Sequence, residues 1–227
     1  MRSRRRLFLG LLLCFSIAKS SDAAIIAQWD FTGQPGNQVS TVGSSLIAGL
    51  TVGDLTRGSG VSLSSTTNSV NSSAWTTSSG IDPNDYYQFS LAPTAGYGVS
   101  LASVAFAERR SLTGIRTFEL RSSLDSFAAA IPGTITGVPD DDLVRNQPLL
   151  LGTPFTNLTT EVTFRLYGYS AESGAGTWRL QNHTTFGGLV LDGTVVAVPE
   201  PSTIAILVLL SGTWWWRDRR RQKVNVS

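Results

Sequence analysis

The stretch EVTFRLYGY, residues 161–169, alternates with a period of two. Val162, Phe164 and Leu166 fall on one side, and Thr163, Arg165 and Tyr167 on the other. Successive side chains of a β-strand point to opposite faces, so the pattern reads as a strand with one buried face. The same period recurs around it. Tyr87, Phe89 and Leu91 alternate with Gln88 and Ser90, and Phe118 and Leu120 alternate with Glu119 and Arg121. Trp178 and Leu180 share a face. Residues 24–31, anchored by Ile26, Trp29 and Phe31, open this region. Residues 189–196 close it, with a bulge or tight turn expected at Asp192-Gly193.

Shorter strands are expected at 46–47, 50–52, 99–106 and 115–120. Residues 56–79 are thick with Ser, Thr, Gly and Asn and read as strand edges and loops, or as a mobile excursion. Residues 124–130 read as one helical turn or a loop, and 133–154 as loops with one brief strand. At least seven short strands result. A lone sheet would leave one apolar face wet, so two sheets must pack together. The expected fold is all-β, a two-sheet β-sandwich of jelly-roll or related topology. No self-similarity appears at a period of about 20–50 residues, which argues against a propeller or solenoid.

The sandwich is expected to span 24–198, between two segments of another kind. Arg2, Arg4, Arg5 and Arg6 precede a 12-residue apolar run, 7–18, and small residues follow near Ala23. That is the pattern of a cleavable signal helix, residues 1–23, too short for a membrane span of about 20 residues. Cys14 is the only cysteine and lies inside that run, so the mature chain would hold no disulfide and no thiolate metal site. The charge is partitioned likewise. Residues 24–198 carry eight arginines, no lysine and thirteen acidic residues, a net charge of −5. The sequence pI of about 8.9 therefore comes from the two ends and indicates export and membrane topology, not nucleic acid.

After residue 198 comes PEPSTIAILVLLSGTWWWRDRRRQK, residues 199–223. Pro199 and Pro201 separate it from the last strand, because proline lacks the N–H a sheet needs. Residues 203–216 form a 14-residue apolar run. As a helix it would be roughly 21 Å long, a short transmembrane segment. Trp214, Trp215 and Trp216 suit the headgroup interface, and Arg217, Arg219, Arg220, Arg221 and Lys223 would stop transfer and stay cytoplasmic.

In order, spacing and position these elements resemble the bacterial PEP-CTERM sorting signal. Its Pro-Glu-Pro-Ser start corresponds to Pro199, Glu200, Pro201 and Ser202. The Trp triplet and the extra 224–227 depart from the family's usual Leu, Gly and Ala run and its Arg-rich end. The resemblance implies export by the general secretion machinery and signal peptidase, then recognition by an exosortase near Pro-Glu-Pro. It also implies an inner-membrane-tethered precursor, followed by release to the cell surface or exopolysaccharide matrix. Three stretches, AQWDFTGQPG (27–36), FELRSSLDSF (118–127) and GTWRLQN (176–182), resemble segments of uncharacterised surface proteins with the same tail. Those proteins commonly place Trp-Arg-Leu-Asp-Asn before the last strand of a lectin-like or jelly-roll sandwich; here Gln181 stands at the Asp position.

No residue within the sandwich region announces catalysis. Asp140, Asp141 and Asp142 form the densest carboxylate cluster, but three consecutive side chains rarely reach one calcium ion, so a charged loop is expected. His183 is the only histidine and has no nucleophile motif beside it. Glu108, Glu119, Glu161 and Glu172 are the candidates for a glycosidase pair. Trp29 and Trp178 lie in alternating strands and read as core. Trp75, set among Ser and Thr, reads as exposed and is the aromatic that would meet a glycan if the domain binds carbohydrate. Asn71, Asn157 and Asn182 open N-x-Ser/Thr sequons, which in this setting are coincidental or at most sites of an uncommon surface modification. The sequence thus points to an exported surface or matrix protein, structural or adhesive, without a cofactor. The alternatives are a calcium-assisted carbohydrate-binding module and a secreted polysaccharide-active enzyme.

Overall fold

The computed structural model describes residues 23–133 and 135–198. The segment expected to be a signal helix, save Ala23, and the tail expected to carry the sorting signal lie outside the described residues. So do Pro199, Glu200, Pro201 and Ser202, the triplet Trp214, Trp215 and Trp216, and Arg217, Arg219, Arg220 and Arg221.

The described chain is all-β. Its first part contains β1 (Ala24–Asp30), β2 (Pro35–Gly36), β3 (Gly43–Ser45), β4 (Leu50–Val52), β5 (Thr56–Arg57), β6 (Ser62–Ser64) and β7 (Ser69–Ser73). The central part contains β8 (Tyr86–Pro93), β9 (Tyr97–Arg110), β10 (Thr117–Ser122) and β11 (Ile135–Thr136). It ends with β12 (Arg145–Leu150), β13 (Val162–Tyr169), β14 (Trp178–Gln181) and β15 (Gly188–Ala197). They form two sheets. The nine-stranded sheet runs β2-β7-β14-β9-β15-β1-β3, with β12 also on β9 and β6 on β7. The six-stranded sheet runs β11-β10-β13-β8-β4, with β5 also on β8. Early and late strands are neighbours, so the sandwich closes only when both halves of the chain are in place.

The inward residues of β8, β10 and β13 are those the alternation selects: Tyr87, Phe89, Leu91, Phe118, Leu120, Val162, Phe164 and Leu166 are all buried. They meet Trp29, Phe106, Trp178 and Leu180 of the larger sheet. Trp29 packs edge-on against Phe89 at 5.0 Å, and Trp178 stacks on Phe118 at 5.2 Å. The Tyr87 hydroxyl donates to the Trp178 carbonyl at 2.7 Å, crossing between the layers. Burying each such side chain contributes about 1.5–3 kcal/mol, so these contacts hold the two layers together. The expected bulge at Asp192-Gly193 is present as a register shift between β15 and β9.

Four expectations need correction. Trp75 is not exposed: it is 1 % accessible, packed 5.3 Å from both Tyr87 and Trp178, with its Nε1 donating to the Ser72 carbonyl at 2.9 Å. Ala74 adopts φ 63°, which turns the chain inward after β7. The ring then lies over Gly168 of β13, where a Cβ would come within 3.0 Å of it. Residues 56–79 are not an excursion. They hold β5, β6 and β7, and the Ser-rich β7 is buried inside the larger sheet between β2, β6 and β14. Strand β9 runs past residue 106 to Arg110, and residues 133–154 hold two strands, β11 and β12.

The extension of β9 carries Glu108 and Arg110 into the interior, both fully buried. Arg110 is satisfied by the Ser111, Leu112 and Val138 carbonyls and lies 3.3 Å from Glu172. Glu108 Oε2 accepts from Trp178 Nε1 at 3.0 Å. Its Oε1 has no hydrogen-bond partner among the described residues; Arg145 Nη1 approaches to 3.6 Å. Burial pushes the Glu108 carboxyl above the usual carboxylate range, against the opposing Trp178 bond and Arg145 charge.

Candidate functional site

The alternation that turns Phe89 and Phe164 inward turns their neighbours outward. On the outer face of the six-stranded sheet, cross-strand register arranges these neighbours in rows. One row is Glu119, Tyr167 and Tyr86, taken across β10, β13 and β8. The next is Arg121, Arg165 and Gln88, continued by Thr56 of β5. A shorter row pairs Thr117 with Tyr169. Strands spaced about 4.8 Å apart, and rows two residues apart, bring these side chains into mutual contact.

The Arg165 guanidinium is held between two aromatic faces. Its carbon lies 4.3 Å from the Tyr86 ring centroid and 4.2 Å from that of Phe127. Arg165 Nε donates to Gln88 Oε1 at 2.8 Å, which also fixes the orientation of the amide. Tyr86 meets Tyr167 edge to face at 5.5 Å. In the β10 column, Arg121 Nε donates to Glu119 Oε1 at 2.5 Å, and the Tyr169 hydroxyl donates to Glu119 Oε2 at 3.1 Å. Burial pushes the Tyr169 hydroxyl up, and the neighbouring Glu119 charge adds to that. Glu119 faces outward as its strand phase requires, yet its neighbours leave it only 7 % accessible.

Phe127 reaches this face from the loop after β10. A 3-10 turn, Ser123–Asp125, is followed by Ser126 at φ 60° and Phe127 at φ 62°. A bulky residue in the left-handed region costs about 1–3 kcal/mol and persists only where its surroundings hold it there. Here Phe127 N donates to the Ser122 carbonyl at 2.8 Å, and Arg121 Nη1 donates to the Phe127 carbonyl at 2.9 Å. Asp125 accepts from Ala129 N at 3.0 Å and closes the turn. Beneath the same loop lies an apolar cleft of about 420 Å³, lined by Leu124, Ile131, Pro132, Pro154 and Phe155.

The other residues singled out in the sequence, Glu119 apart, are not part of this grid. Asp142 receives a two-pronged bond from Arg109, at 2.8 and 2.6 Å, which holds its carboxyl below the usual range. Asp141 pairs with Arg145. Among the described residues no three His, Cys, Asp or Glu side chains converge as a metal site. Glu108, Glu119 and Glu172 each sit beside an arginine, and Glu161 is exposed. His183 stacks on Phe186 at 3.9 Å, and its Nδ1 accepts from Thr185 N at 3.0 Å. Asn71 of the first sequon is buried, its amide donating to Thr66 Oγ1.

No family model matches the chain, and no curated protein matches it. Among solved structures, a variant of a family 29 carbohydrate-binding module, studied for ligand recognition, aligns with it. It covers 73 % of this chain and 89 % of that one, at 14 % identity and a TM-score of 0.36. A likeness of that size assigns neither ligand nor activity.

The sequence reading had Glu119, Arg121, Gln88, Arg165 and Tyr167 on outward faces. It missed that they share one face, and it missed Tyr86 and Phe127. Tyr86 was available from phase alone, since the alternation that buries Tyr87 must expose its neighbour. Phe127 carried no such signal, because its position depends on two left-handed residues in a loop.

Proposed function

We propose that the sandwich is the carbohydrate-contacting part of an exported cell-surface or matrix protein, and that it adheres through the outer face of its six-stranded sheet. The observation that carries this reading is the Tyr86, Arg165 and Phe127 stack, bonded to Gln88 within a register-matched grid. Sugar rings present apolar C–H faces and pairs of hydroxyls. The sides of Tyr86 and Phe127 turned away from Arg165 suit the first, and planar amide or guanidinium groups suit the second. Three strands by two rows cover about 10 Å by 7 Å, comparable with about one or two hexose rings. The side chains are fixed by one another before any ligand arrives, so little rotamer entropy remains to be lost on binding.

This reading keeps the carbohydrate contact but not calcium, because Asp141 and Asp142 are already paired with arginines. A glycan array probed with the full chain should therefore give the same hits with and without EDTA, and Tyr86→Ala should lose them. Hits that vanish with EDTA, or survive Tyr86→Ala, would count against it. Delivery to the surface by an exosortase acting near Pro199-Glu200-Pro201 belongs to the same proposal and rests on the resemblance of the tail.

A further inference from the structure

Eight arginines lie between residues 24 and 198. Six of them, Arg109, Arg110, Arg116, Arg121, Arg145 and Arg179, are within ion-pair reach of a carboxylate. Arg57 instead spends its donors on four oxygens: Ser72 Oγ and the Gln38, Gly36 and Asn71 carbonyls. Arg165 fits neither group. Its Nε bonds to Gln88 and its Nη1 makes a long 3.4 Å contact with the Tyr167 hydroxyl. Its Nη2 has no acceptor among the described residues.

Arg165 also stands directly across from Arg121 in the strand register. Like charges so placed repel. Arg121 is compensated by Glu119, whose second oxygen is taken by Tyr169. Arg165 is not compensated, yet two aromatic rings hold it in place. The rings keep water from both faces of the guanidinium and leave the Nη1–Nη2 edge for an in-plane acceptor. That edge matches a carboxylate with two parallel bonds. The net charge of −5 on residues 24–198 does not cancel this attraction, because acidic groups beyond about 10 Å are screened at ordinary salt.

We propose that Arg165 is an anion receptor and that the ligand of this face is an acidic polysaccharide, with carboxylates on its sugar rings. This rests on the glycan reading of the same face and names its ligand class. Binding of the full chain, in mild detergent with EDTA present, is measured by calorimetry against polygalacturonate and against the same polymer with its carboxyls reduced to alcohols. Dextran sulfate and dextran form a second pair.

The acidic galacturonan should bind about ten-fold more tightly than its reduced form at low salt, with the gap closing as salt is raised. Arg165→Gln should abolish that preference, bringing the acidic and reduced polymers to within about two-fold of each other. Arg165→Lys, which keeps the charge but not the fork, should lose most of it. Equal binding of both galacturonan forms, or a preference that survives Arg165→Gln, overturns the acidic assignment and leaves the glycan reading standing. A preference confined to dextran sulfate overturns the carboxylate. Binding of none of the four polymers overturns both readings. Near-UV circular dichroism of each variant checks that the sandwich is intact.

Discussion

Glu108 is a carboxylic acid built into an aromatic interior, and its proton is linked to stability. Burial raises its affinity for a proton above that of the unfolded chain. The folded state therefore holds the proton more firmly, and the stability so gained is fully present at low pH and lost as pH rises through the raised value. Glu108→Gln keeps an acceptor for Trp178 Nε1 and removes the titration. Urea midpoints of the variant should fall less than those of wild type as pH climbs from the carboxyl range toward neutrality; parallel curves would refute the linkage. Trp75 is the second test at this scale. Replacing it by Ala should cost about 3–5 kcal/mol in chemical denaturation, as for other large core truncations. Glycan binding per folded molecule should stay unchanged, because the ring faces Tyr87 and Trp178 and not the outer grid. Its polar sequence neighbours suggested a surface, but Ala74 and Gly168 together decide its place, and neither effect can be read from composition.

Among elements, the loop after β10 carries two consecutive left-handed residues that are not glycine, Ser126 and Phe127. Its two left-handed residues present Phe127 to Arg165. Phe127→Ala should leave the melting temperature nearly unchanged and weaken glycan binding by about three- to ten-fold, because Arg165 loses one wall and part of its preorganisation. A variant that binds as well as wild type would remove Phe127 from the site. Strands β8, β13 and β14 were legible in the sequence, since large apolar residues mark every second position, and the closing β15 was legible as an apolar run without alternation. Strand β7 was not, because SVNSS is short and polar and its burial comes from neighbours on both sides. The far end of β9 was hidden for a related reason. Glu108 and Arg110 look like the charged end of a strand, and only Trp178 and the surrounding carbonyls make their burial tolerable. The grid itself needed pairing information, for nothing in the sequence brings residues 86, 119 and 167 into one row.

At the level of the whole molecule, the two-sheet sandwich was legible from alternation and from the need to cover two apolar faces. The interleaved strand order was not, because it arises from long-range pairing. The division of charge sets the prediction for this scale. An acidic domain precedes a basic tail, so removal of Arg217, Arg219, Arg220, Arg221 and Lys223 should move the precursor out of the membrane fraction in an exosortase-positive host. Identical fractionation of the deletion and the wild type would count against the sorting proposal. The tail departs from β15, and β15 is not a border strand: at residues 190–193 it is bonded to β1 on one flank and β9 on the other. Tension drawn along the chain beyond Val198 would therefore load those rungs in shear, all together, instead of unzipping them singly. Residues 194–197, nearest the tail, hold β9 alone, so a domain hung from this strand would resist drag chiefly at residues 190–193, where both flanks are bonded.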